Sequence, residues 1–307
     1  MGSLLRFMVR SRTHAIATAV IGMLLPPFSF VSGGIVGLTV LRHGLADGAL
    51  VLAVTTAIST LAMGLILGTY QPVVIFVLFT GLPVMVLAWV LRETASQGSA
   101  LTVAGGMGAL VLAGIHLLSS NPVAWWRDKL ERYVAQPIRE ANPDLTPEML
   151  QTLDETLESM SLLMLSLPAA TVVGAMLILW LARWMHATID NPGGFGKEFR
   201  ALRLDRRVAY AAVALALLAI LAGGFAGGLF RVLLVLAIIM YTIQGMALVH
   251  ALVHAHVHAR GASIFWLLTM YAALLIVPPL AALGLALGGF SDTWFDFRRR
   301  WSAGTST

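Results

Sequence analysis

The sequence predicts an all-α protein: a polytopic transmembrane helical bundle of about eight spans with an amphipathic interfacial insert. Three observations carry that expectation. Charged residues make up 11% of the 307 and hydrophobic residues 58%, whereas a soluble domain carries about 25% charged residues. Mean hydropathy is +0.85. Several uninterrupted stretches exceed the ~18 to 20 apolar residues that cross a bilayer. Eight crossings use up the length, so residues 1–307 read as one integral membrane domain with no separate soluble one. The chain has no cysteine, which excludes disulfides, thiolate metal sites and cysteine nucleophiles. The net charge of +5 belongs at lipid headgroups, not on nucleic acid. The sequence implies no cofactor and sets no oligomeric state.

In chain order, the start "MGSLLRFMVRSRTHAIATAV" has a basic segment and then an apolar run, like a signal peptide. No clean small-residue cleavage site follows, so it reads as a retained first helix. That first span covers about 13–41 and kinks or stops at Pro26-Pro27, because adjacent prolines remove backbone donors and clash with the preceding turn. A stop would split it into two crossings and put the N-terminus on the side of residues 186–206, although residues 30–41 are short for a full crossing. Further spans are expected over about 45–67, 72–91, 99–118, 161–185, 207–223, 229–256 and 262–287.

Two polar connections interrupt this pattern. The first, residues 119–160, opens "NPVAWWRDKL" with Pro122 just inside a helix start. Trp125 and Trp126 suit a headgroup interface. Farther on, Thr146 reads as an N-cap with Pro147 as first helical residue. The segment is expected to form one or two amphipathic helices lying on the membrane. The second connection, residues 186–206, contains "NPGGFGKEFRALRLDRR". With eight spans both termini and the Trp125-Trp126 connection share one side. The basic 186–206 loop then falls on the other, against the tendency of Lys and Arg to collect on the cytoplasmic side.

"GGFGKE" resembles a phosphate loop, but a Walker A motif needs Gly, four residues, then Gly-Lys and Ser or Thr. Asn191 stands at the first position and Glu198 follows Lys197. The better reading is a Gly-rich turn and short amphipathic helix, with Phe195, Phe199, Leu202 and Leu204 toward lipid. The same loop can instead cap a pocket, which makes Asn191, Gly193, Gly194, Phe195, Gly196, Glu198 and Phe199 candidate binding or gating residues.

His250, His254 and His258 fall at i, i+4 and i+8 on one helix face, and an i, i+4 pair can chelate zinc. The Glu of a His-Glu-x-x-His protease is missing, so the other reading is a wetted helix end at the headgroups. Polar residues near or within spans, the usual mark of an ion path, are few: His116, Gln244 and Arg231 are the main ones. With Tyr241 and Trp180, His116 and Gln244 form a candidate ligand-contact set. No nucleophile motif or other catalytic constellation is present, so no enzyme activity is expected.

Four stretches carry a family resemblance: "GLTVLRHGLADGALV" from Gly37, "NPGGFGKEFRALRL" from Asn191, "YTIQGMALV" from Tyr241 and "GGFSDTWFDFRRR" from Gly288. Together they resemble the YybS-like family of uncharacterised bacterial membrane proteins, which implies a multi-pass protein of the bacterial inner membrane. Such families are similar to the substrate-binding S components of energy-coupling-factor vitamin transporters. That similarity implies a compact bundle holding a small molecule near one membrane face, working with a separate ATPase and a coupling membrane subunit. In S components a small-xxx-small pair on the first helix meets the coupling subunit, and Ala15 and Ala19 match it. S components have about six helices and no insert like 119–160, so the chain departs from them there. The rival expectation is a membrane scaffold or assembly factor without transport, docking through Trp125, Trp126 and the tail residues Asp292, Trp294, Asp296 and Arg298.

Overall fold

The computed structural model describes residues 2–256 and 260–299, which are helical nearly throughout and contain no strand. The order is α1 (Gly2–Met8), α2 (Arg12–Leu24), a 3-10 turn (Pro26–Phe28), α3 (Ser29–His43), α4 (Leu45–Leu67) and α5 (Gln71–Phe76). A π turn (Val77–Gly81) leads into α6 (Leu82–Thr94), then α7 (Gln97–Leu118) and α8 (Pro122–Leu130). A second π turn (Glu131–Ala135) precedes α9 (Gln136–Ala141) and α10 (Pro147–Leu163). The chain closes with α11 (Leu167–Asp190), α12 (Gly194–Arg200), α13 (Arg206–Leu221), α14 (Gly224–His256), α15 (Arg260–Ile276) and α16 (Pro278–Phe295). Among the described residues five helical stretches are long and apolar enough to cross a membrane: Leu45–Leu67, Gln71–Thr94, Gln97–Leu118, part of Pro147–Asp190, and Ala226–Ala255.

The centre of the bundle is α3. It is buried without interruption from Ser32 to Leu41 and packs against α2, α4, α6 and α11. Lipid is as apolar as leucine, so helices in a bilayer associate through close packing of small residues. A Cβ at Gly37 would lie 2.9 Å from the Ala182 methyl and 3.0 Å from Val84, and one at Gly33 2.6 Å from Thr80. These glycines set the distance of α3 from α6 and α11. Leu38, Leu87, Leu101, Met176 and Leu179 fill the space between the helices.

The expected first span is a hairpin. At Pro26–Phe28 the chain reverses, and the Ser32 hydroxyl donates to the Ala19 carbonyl at 2.7 Å, which pins α3 against α2. The two helices have 13 and 15 residues, about 20 Å each at ~1.5 Å per residue, short of the ~30 Å hydrocarbon core. A second reversal hides in the expected span 262–287: α15 ends at Ile276 and α16 starts at Pro278.

These reversals change the sidedness. Arg12 pairs with Asp47 at 2.5 Å, Arg42 with Asp190 at 2.9 Å, and Arg203 with Asp292 at 3.4 Å. The starts of α2 and α4, the end of α11, the segment after α12 and the end of α16 therefore gather at one end of the bundle. The 119–163 insert hangs from the other end, between α7 and α11, which run antiparallel. The expectation that 186–206 faces away from both termini is corrected: it lies with them, because the apolar run 13–41 turns back instead of crossing. The insert has Asn121 and Thr146 as N-caps, accepting from Ala124 and Met149 amides. Its helices pack on each other, tied by Arg139 to Glu131 and Asp154.

Since the chain lacks cysteine, single-cysteine labelling tests this arrangement directly. With a membrane-impermeant maleimide, Lys197→Cys and Asp144→Cys, both exposed, are expected to label from opposite sides of sealed vesicles. Labelling from the same side contradicts the arrangement.

Candidate functional site: an aromatic pocket roofed by a short helix

Asn191 ends α11, and its carbonyl accepts from the Gly194 amide at 3.0 Å. Gly193 turns the chain at φ +82°, a left-handed conformation that glycine adopts without strain. The seven residues of α12 then lie across the charged end of the bundle.

Three polar attachments hold this segment. Arg183, buried in α11, makes a bidentate pair with Glu198: its Nε donates to Oε2 at 2.7 Å and its Nη2 to Oε1. Gln244, fully buried in α14, accepts from the Leu204 amide at 2.8 Å and donates to the Gly289 carbonyl at 2.6 Å and the Thr293 hydroxyl at 3.2 Å. Asp292, 1% exposed, lies between Arg203 and Arg298, and its Oδ1 accepts from the Phe297 amide at 3.1 Å. Arg203 also donates to Asp296, whose carboxyl is held below its usual pKa first by that hydrogen bond. Burial lowers the Arg298 pKa, with Asp292 opposing; Arg298 donates to the Arg200 carbonyl at 2.5 Å. Gly98 of α7 completes the fit, since a Cβ there would fall on the Arg203 carbonyl.

This attachment corrects the sequence reading of the loop. Leu202 and Leu204 are 1% and 4% exposed and belong to the core instead of facing lipid, because the segment closes onto the bundle. Asp292 and Asp296 of the tail pair with Arg203, some ninety residues away.

Under α12 lies a pocket of about 480 Å³ between α11, α12, α14 and α15. Its wall is a continuous series of ring contacts: Trp180 to Phe199 at 5.2 Å, Phe199 to His250 at 5.2 Å and His250 to Tyr271 at 5.8 Å, all edge-to-face, with Phe195 6.2 Å from Phe199. Such edge-to-face pairs fix ring orientation beyond what burial alone supplies. The lining is largely apolar, with Arg200 and His250 as the polar groups. His250 is held on both nitrogens: Nδ1 lies 2.9 Å from the Met246 carbonyl and Nε2 3.3 Å from the Tyr271 hydroxyl. Trp180 Nε1 donates to Gln97 at 3.3 Å.

Of the residues singled out from sequence, Phe195, Gly196, Phe199, His250 and Trp180 meet at this pocket, and Glu198 anchors its roof. Tyr241 lines a different, wholly apolar cavity of about 210 Å³ between α13, α14 and α16. Gln244 spends its polar atoms on the chain itself, and His116 stands toward the insert end of α7, near the Leu112 carbonyl. Ala15 and Ala19 are buried in the chain, where α2 packs on α3 and α4. Trp125 and Trp126 contact each other within α8 at 4.8 Å. Trp294 packs on Tyr210 of α13 at 5.2 Å. His254 is exposed and His258 lies outside the described residues. Among the described residues no group of three or more metal-ligating side chains comes together. Sequence reading missed Arg183, Trp184, Arg200 and Tyr271; the signal for Arg183 was a lone arginine inside the apolar run "WLARWM".

A helical bundle with five stretches long and apolar enough to cross a membrane defines a multi-pass membrane protein. The sequence pattern of one family, predicted membrane proteins (DUF2232), matches residues 15–292, nearly the whole chain, and the protein belongs to that family. No curated protein and no solved structure matches it.

Glu198→Gln leaves the Arg183 guanidinium buried without its counter-charge, a change that typically costs about 3 to 5 kcal/mol. The variant is expected to melt lower and to be cut faster by protease within 191–204, and Arg183→Met added to it is expected to restore part of the loss. Unchanged protease resistance in Glu198→Gln contradicts the anchoring role.

Proposed function

We propose that the protein is the small-molecule binding component of a bacterial inner-membrane uptake system, with the α12-roofed aromatic pocket as its ligand site. The pocket is the observation that carries this reading. Ligand sites are concave and mostly apolar, with a few polar groups placed to orient the ligand. Stacked and edge-on rings favour a flat ligand of aromatic character, and Arg200 at the rim suits an anionic or hydrogen-bond-accepting edge. The resemblance to S components read in the sequence stretches above adds the rest of this proposal: a separate ATPase and a coupling membrane subunit. In this reading α13, α15 and α16, of 16, 17 and 18 residues, bring the crossings to eight, and the α2–α3 hairpin enters and leaves from one side. The charged end carries Arg6, Arg10, Arg12, Arg42, Lys197 and Arg200 among others, whereas residues 119–163 carry four basic and eight acidic side chains. The positive-inside tendency then puts the termini, α12 and the pocket mouth toward the cytoplasm.

One observation favours the rival scaffold reading. The α8–α10 hairpin packs on itself and presents its acidic side chains outward, as a docking arm would.

Mild extraction followed by mass spectrometry of co-purifying molecules separates the two. The uptake reading expects one dominant small molecule near equal stoichiometry. It also expects that molecule to be lost in Leu177→Trp, which fills the pocket from an exposed wall position. A partner protein that disappears when 119–160 is deleted, with no small molecule in either form, supports the scaffold and overturns the ligand site.

A further inference from the structure

A second cavity, of about 690 Å³, lies between α1, α2, α3 and the end of α11, away from the aromatic pocket. Four arginines line it: Arg6, Arg10, Arg12 and Arg42. Two are already matched. Arg12 meets Asp47 at 2.5 Å, and Arg42 meets Asp190 through Nε at 2.9 Å and Nη2 at 3.3 Å. Arg6 and Arg10 make no side-chain hydrogen bond or ion pair among the described residues, so the cavity holds two guanidiniums in excess of its carboxylates. Its floor is apolar, with Ala15 and Leu38 buried. A guanidinium fork matches the oxygens of a phosphate bidentately.

We infer that this cavity is a binding site for a phosphate group. Arg6 and Arg10 supply the free cationic forks, while Asp47 and Asp190 hold Arg12 and Arg42 at the wall. The phosphate comes either from an anionic phospholipid headgroup, since the cavity sits at the charged end of a membrane bundle, or from a soluble phosphorylated compound. The inference does not depend on the aromatic pocket having a ligand.

The test uses the full-length protein. In detergent, titration with pyrophosphate is followed calorimetrically; in nanodiscs, retention of phosphatidylglycerol against phosphatidylcholine is followed by native mass spectrometry. The variant Arg6→Gln/Arg10→Gln is compared with Lys197→Gln/Arg207→Gln, which removes equal charge from exposed positions at the same end outside the cavity. A tenfold or larger loss of pyrophosphate affinity in the first variant alone assigns the site to a soluble phosphate. Selective loss of phosphatidylglycerol in the first variant alone assigns it to a headgroup. Equal binding of both probes by the first variant and the unmodified protein, or an equal fall in both variants, overturns the site. Should the first variant fail to fold, modification of the unmodified protein by phenylglyoxal decides. Protection of Arg6 and Arg10 by either probe supports the site, and the absence of protection by both overturns it.

Discussion

A carboxylate taken out of water must be compensated, and the charged end of this protein is built around one such group. Asp292 is 1% exposed in a chain where charge is scarce, and Arg203, Arg298 and the Phe297 amide surround it. An ionised group in low dielectric persists only when paired and hydrogen-bonded. Satisfying Asp292 therefore forces the segment after α12 and the tail after α16 onto the same patch. The Leu204 amide then falls within reach of Gln244, the Arg203 backbone settles against Gly98, and α12 is fixed across the ends of α11 and α14. The roof of the aromatic pocket follows from that placement.

The two anchors of α12 divide the work. Arg183–Glu198 ties its middle to α11, and the Asp292 group ties its C-terminal extension to α14 and α16. Between them the ring series from Trp180 to Tyr271 is exposed to whatever enters from the side. The roof is therefore held by polar contacts at Glu198 and beyond its C-terminal end, and by the packing of Phe199, Leu202 and Leu204. It also sits at the end rich in arginine, far from the acidic insert.

Much of the fold was legible in the sequence. The helical membrane class, the helix over 45–67, the helix expected over 99–118, the helix start at Pro122 and the cap at Thr146 follow from hydropathy and local backbone chemistry. The α2–α3 hairpin was legible only as one of two alternatives, because a proline pair in an apolar run marks a kink and a reversal alike. What decides between them is the tertiary bond from Ser32 to Ala19. The turn at Val277 was hidden in the same way. The loop and the tail were each recognisable as unusual, yet nothing local shows that Arg203 and Asp292 seek each other. The pocket was half legible: the two phenylalanines of the loop stood out, while Trp184 and Tyr271 lie inside apolar runs with no local feature to set them apart. Tyr241, Gln244 and His116 were grouped by polarity alone; packing sets Tyr241 and Gln244 against the same turn of α16 and leaves His116 at the insert end of α7.

The central claim is that Asp292 and Arg203 act as one unit holding the loop to the tail. The direct test is a double-mutant cycle on thermal unfolding in detergent, using Arg203→Ala, Asp292→Ala and the pair. Removing either partner leaves the other buried or misplaced, so each single variant is expected to lose substantial stability. The double variant is expected to be more stable than the sum of the two losses by about 1 kcal/mol or more. Strict additivity, with each loss independent of the other, would contradict the account.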